Sequence, residues 1–72
     1  MEEIEIYSDN IKLDQFLKWA NIVETGGEAK LLIQSEKIKV NNQIETRRSH
    51  KIKEGDLVTR TDTNKSYKVI KT

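Results

Sequence analysis

Between Gln34 and Ile38 the spacing of apolar residues changes from every third or fourth position to every second. That change divides the chain into a helical part and a strand part. Before it, Leu13, Phe16, Leu17 and Ala20 fall at i, i+3, i+4 and i+7, the stripe of an amphipathic helix. Thr25 and Glu28 stand in the spacing of a capping box, so a second helix is expected from about Gly26 to Ser35, burying Ala29, Leu32 and Ile33. After the change, Ile38 and Val40 point one way, and Lys37 and Lys39 share the solvent side. Asn41-Asn42 supplies the positive φ angles of a tight turn into Gln43–Thr46. Gly55-Asp56 and Asp62–Lys65 read as turns around two further strands, Leu57–Thr61 and Ser66–Ile70. At the start, Glu2–Tyr7 alternates polar and apolar as a half-buried strand would, and Asp9 and Asn10 are expected to end it and cap the first helix. The order strand, two helices, several short strands predicts an α+β fold: a two-helix motif packed on a small, mainly antiparallel sheet.

Seventy-two residues suffice for one small domain, and the reading is a single unit spanning residues 1–72. No cysteine is present, so neither disulfides nor thiolate metal sites can support the fold. The core must come from the 35% of residues that are apolar. No apolar run approaches the ~20 residues that span a bilayer. An N-terminus reading Met-Glu-Glu-Ile-Glu is acidic where a signal peptide is basic, so the expected setting is cytoplasmic, without a membrane partner.

Net charge is only +1, but it is unevenly distributed. Residues 1–29 carry a balance of −5 and residues 30–53 a balance of +5, from Lys30, Lys37, Lys39, Arg47, Arg48, Lys51 and Lys53 against Glu36 and Glu45. A nearly neutral chain can therefore present a basic face to a polyanion. Solvated strand surface is the other reading of the same lysines.

Catalysis is poorly supplied. One histidine, four scattered serines and no cysteine give no nucleophile–base pair. His50 lies in a basic stretch, where a solvated or phosphate-facing ring is expected rather than a general base. Asp9, Asp14, Asp56 and Asp62 show no ligand spacing, and Gly26-Gly27 lacks the Lys-Ser/Thr of a phosphate loop. The expectation is a non-enzymatic protein with no catalytic residue, no cofactor and no metal.

Several ordered motifs carry a more specific reading. Lys12-Leu13-Asp14-Gln15-Phe16-Leu17, Glu28-Ala29-Lys30 with Leu32-Ile33, Ile38-Lys39-Val40-Asn41 and Gly55-Asp56-Leu57-Val58 together resemble the S-four RNA-binding domain, named after the fourth protein of the small ribosomal subunit. The matched core is residues 12–58. Thr25-Gly26-Gly27-Glu28-Ala29-Lys30 and Arg47-Arg48 before Lys51 are similar to the stand-alone bacterial members of the YaaA and YbcJ type. The chain departs from the family pattern at Gly26, where an arginine is common, and at Glu36 and Asn42, where glycines are usual. The resemblance implies a module that binds structured RNA through phosphate and shape contacts, with ribosomal RNA or a ribosome assembly intermediate as partner. The alternative is a protein-interaction module that kept the fold and lost RNA affinity.

The RNA-binding surface expected from residues and resemblance together comprises Lys12, Lys18, Thr25, Gly26, Gly27, Lys30, Lys37, Lys39, Arg47, Arg48 and Lys51. Arginine forks suit phosphate oxygens, which puts the Arg47-Arg48 pair first among these. Lys12 and Lys18 rest mainly on the resemblance. The two glycines either let a phosphate approach free helix N–H groups or allow close helix packing. Trp19 reads as rim packing or as a platform for stacking a base; Tyr7 and Tyr67 read as strand packing, and Leu31 as an exposed contact.

Overall fold

The computed structural model describes residues 1–72. Its elements run β1 (Glu2–Ile6), β2 (Asn10–Lys12), α1 (Leu13–Trp19), α2 (Gly26–Gln34), β3 (Ile38–Val40), β4 (Gln43–Ile44), β5 (Lys51–Lys53), β6 (Leu57–Arg60) and β7 (Lys65–Lys71). Five strands form one sheet in the order β1-β7-β6-β3-β4, and β2 pairs with β5 in a separate two-stranded ladder. Every pairing is antiparallel except β1 with β7, which is parallel. This is the expected α+β architecture, with a parallel edge strand and the small β2–β5 ladder in addition.

The change of apolar period builds one core. Leu13, Phe16 and Leu17 from α1 and Ala29, Leu32 and Ile33 from α2 are buried with Ile38, Val40, Val58, Tyr67 and Val69 of the sheet. Leu17 and Ile33, the centres of the two stripes, are both fully buried. Because Ile38 and Val40 face the helices, alternation turns Lys39 to the other face of the sheet, opposite Ile44 and Thr59.

Both helices close in the same way. Ile22 N–H donates to the Leu17 carbonyl and Asn21 N–H to Lys18; Lys37 N–H donates to Leu32 and Glu36 N–H to Ile33. Each is a Schellman closure with a left-handed residue, Asn21 (φ 59°) in one and Glu36 (φ 62°) in the other. Glu36 therefore occupies a conformation that suits glycine. The Asn41-Asn42 turn has φ of 53° and 69°, as its sequence predicts.

The helix starts differ from expectation in two details. Asp9 and Asn10 do not cap α1, whose N-cap is Lys12 with no side-chain bond. Backbone supplies the acceptors instead: Leu13 N–H donates to the His50 carbonyl at 2.8 Å and Asp14 N–H to Arg48 at 3.2 Å. At α2, Thr25 Oγ1 accepts from Glu28 N–H at 3.1 Å as expected, but the Glu28 carboxylate accepts from Glu24 N–H at 3.0 Å rather than from Thr25.

Candidate nucleic-acid interface

The β2–β5 ladder sets Ile11 opposite Ile52, with Ile52 fully buried. Alternation then places Lys12 directly opposite Lys51 on the outer side. Two like charges facing across a ladder repel. Neither lysine has an acidic partner among the chain's ion pairs. The pair concentrates positive charge that the fold itself does not neutralise.

Residues 46–50 dock on the start of α1 through the two backbone bonds already described, and this docking gathers the rest of the site. A shallow groove of about 390 Å³ lies there, lined only by polar residues. Lys12 and Asp14 come from the start of α1, Gln34 from the end of α2, and Thr46, Arg47, Arg48 and Ser49 from the loop. Arg48 is exposed, and its side chain makes no hydrogen bond or ion pair.

Arg47 is engaged. Its Nε donates to Glu45 Oε2 at 2.9 Å and its Nη2 to Glu45 Oε1 at 3.2 Å, while its backbone N–H donates to Oε2 at 3.0 Å. His50 Nδ1 lies 3.3 Å from Glu45 Oε1, so the ring is half-buried against the carboxylate rather than solvated. The side-chain bond from Arg47, helped by its backbone N–H and by nearby positive charge, outweighs burial and holds the Glu45 carboxyl down at about 2. Arg47's planar fork is already occupied by a carboxylate, which sequence reading of an Arg-Arg pair had no means of showing.

The structure brings together Lys12, Arg47, Arg48 and, across the ladder, Lys51. Lys30 connects to the groove through Gln34, four residues further along the same exposed face of α2. Other expected residues lie apart. Thr25, Gly26 and Gly27 sit at the opposite end of α2, about 12 Å from Gln34 at the helical rise. A Cβ built on Gly26 meets nothing within 4 Å, and one on Gly27 meets only Thr25 Oγ1 at 4.0 Å, so close helix packing is not what the glycines serve. Lys18 lies at the far end of α1 from Lys12. Lys37 leads into β3 beyond the close of α2, and Lys39 faces away from the helices. Gln34, Thr46, Ser49 and Glu45 are the members that the sequence did not single out, and Asp14 stood out only as part of the Lys12–Leu17 motif and as a discarded metal ligand; Glu45, two residues before Arg47, had a local signal.

The tyrosines divide. Tyr67 packs in the core as expected, but Tyr7 lies just past β1 and is 67% exposed. Strand packing is not its role, because the alternation that turns Ile4 and Ile6 inward puts Tyr7 on the outward side with Glu3 and Glu5. Leu31 is exposed, as its position off the stripe predicts.

Compared with known protein families, residues 4–70 match the S4 domain. A relative from Bacillus subtilis (strain 168), described as "Probable ribosome maturation protein RlbA", is 38% identical over 55 residues. The matched stretch covers 76% of this chain and 78% of that protein.

Proposed function

The chain belongs to the S4 domain family, and on that premise we propose that it is a non-enzymatic RNA-binding module acting on structured ribosomal RNA or a ribosome assembly intermediate. The setting is cytoplasmic. The groove between the start of α1 and the 46–50 loop receives the sugar-phosphate backbone. Arg48 supplies a free fork, and Lys12 and Lys51 supply point charges on one side of the groove. Lys30 extends the track along α2. These contacts read backbone position and shape rather than base identity. The relative described as a ribosome maturation protein supports a ribosomal target.

One observation carries the reading: Lys12 and Lys51 face each other across a ladder and neither is held in an ion pair. Such an arrangement lowers stability unless an anion is bound between them. The double substitution Lys12→Gln with Lys51→Gln therefore has two expected effects. It raises the melting temperature of the free protein, and it weakens binding to a structured ribosomal RNA fragment by tenfold or more at low salt. About four phosphate contacts give the wild type a slope of log affinity on log salt of roughly −3, which the double variant flattens by about one and a half units. Equal affinities and slopes for the two proteins overturn the assignment.

A further inference from the structure

Two of the chain's four aromatic residues meet on its surface, remote in character from the basic groove. Tyr7 and Trp19 are 67% and 51% exposed and stand edge to face, their ring centroids 5.9 Å apart. The indole N–H of Trp19 donates to the Glu5 carbonyl at 2.7 Å, which fixes the ring and leaves it no unsatisfied donor. With Ile6, Ser8 and Ile11 these rings line an open, mainly apolar depression of about 290 Å³.

One unpaired acid stands at its border. Glu5 Oε2 lies 3.4 Å from the Tyr7 hydroxyl, and Glu5 takes part in no ion pair. Asp9, next to Ser8 in the chain, is paired with Lys71 at 2.7 Å. Lys18 precedes Trp19 by one residue and so stands more than a quarter turn away on α1.

We propose that this depression docks a short segment of a partner protein that carries lysine or arginine beside aliphatic side chains. The cation lies over the exposed aromatic faces, where ring electrons and the Glu5 carboxylate both attract it. Its methylene stem and the neighbouring aliphatic groups cover Ile6 and Ile11. Charge selects this occupant over the others. A nucleotide stacked on Trp19 would bring its phosphate past Glu5. A second copy docked symmetrically would set the two Glu5 carboxylates against each other. The proposal does not depend on RNA binding, because its surface and its test involve no residue of the groove.

Trp19 is the chain's one tryptophan, so its fluorescence and its indole N–H resonance report on this place alone. The probe is the peptide acetyl-Lys-Leu-Arg-Ile-Lys-amide, with acetyl-Glu-Leu-Glu-Ile-Glu-amide and hexauridylate as comparisons. Saturable shifts of the Trp19 signals are expected with the basic peptide alone. Tyr7→Ala and, separately, Glu5→Gln should each weaken that binding fivefold or more while the melting temperature stays within a few degrees. Trp19 shifts produced by hexauridylate would make the depression a base-stacking platform and overturn the proposal. Shifts that grow with protein concentration alone would make it a self-association face, and silence toward every probe would equally overturn it.

Discussion

Asp56 is the one polar residue in the buried set, at 5% exposure. Its Oδ1 accepts from Asn41 Nδ2 at 3.1 Å and its Oδ2 from Lys53 N–H at 2.9 Å, while Asn41 Oδ1 accepts from Leu57 N–H at 2.9 Å. The carboxylate thus ties the β3–β4 turn to the turn between β5 and β6. Asp56→Ala removes the acceptor for two part-buried donors, at about 1–3 kcal/mol each, for a total of about 2–6 kcal/mol. A chain of 72 residues has roughly 4–11 kcal/mol of stability in all, so the loss is a large fraction. Urea unfolding followed by Trp19 fluorescence measures it. At a slope of about 1 kcal/mol per molar, the midpoint should fall by about 2–6 M, or the variant should be unfolded without urea. Asp56→Asn keeps the shape but turns one amide donor toward a donor, so it should lose stability too, though less than the alanine variant. A midpoint for Asp56→Ala within about 0.3 M of wild type would mean that the carboxylate does not hold the two turns together.

Glu36→Gly relieves a left-handed residue worth about 1–2 kcal/mol, offset by about 0.5–1 kcal/mol of added chain entropy, and should raise the melting temperature by several degrees in a calorimetric scan. The Glu45 carboxyl is depressed in the folded state, so its stabilising contribution is complete above its ordinary value of 4.5 and fades as pH falls toward about 2. Wild type should accordingly lose more melting temperature than Glu45→Gln over that window, and parallel curves would contradict the Arg47–Glu45–His50 arrangement. Arg48→Ala should flatten the salt slope of RNA binding by about 0.7–0.9 with little change in melting temperature. Arg47→Ala should do the reverse, flattening the slope less and lowering the melting temperature more, because its fork is bonded to Glu45.

Local signals made much of the fold legible. The period change placed α2 and β3, Thr25 marked a helix start, and Asn41-Asn42 marked a turn, because each depends on residues within a few positions of one another. The β2–β5 ladder was not legible: Asn10-Ile11-Lys12 has one apolar residue and finds its partner in Lys51–Lys53, far along the chain. The same distance hid the cap of α1, which is made by loop carbonyls rather than by Asp9 or Asn10. The parallel pairing of β1 with β7 joins the two ends of the chain and likewise has no local mark.

The candidate site was half legible for a related reason. Seven bases between residues 30 and 53 suggested one face, but topology disperses them. Lys39 goes to the far side of the sheet, Arg47 bonds Glu45, and Lys53 lies 3.7 Å from Asp56. Arg48 and Lys51 stay free, and Lys12 joins them from the acidic third of the sequence. The Asn41 and Gly55-Asp56 motifs of the resemblance prove to be a structural clamp, with Gly55 at φ 91° and Asp56 in the hydrogen-bond network.

Contact of RNA phosphates with the groove at the start of α1 is read from backbone amide shifts in a ¹H–¹⁵N spectrum, recorded while a structured ribosomal RNA fragment is titrated at low salt. Shifts are expected at residues 10–14, 46–52, Lys30 and Gln34, and they reverse when salt is added. Shifts confined to β1 and the Tyr7–Trp19 pair, or to the outer sheet face around Lys39 and Thr59, would contradict it, as would the absence of any shift.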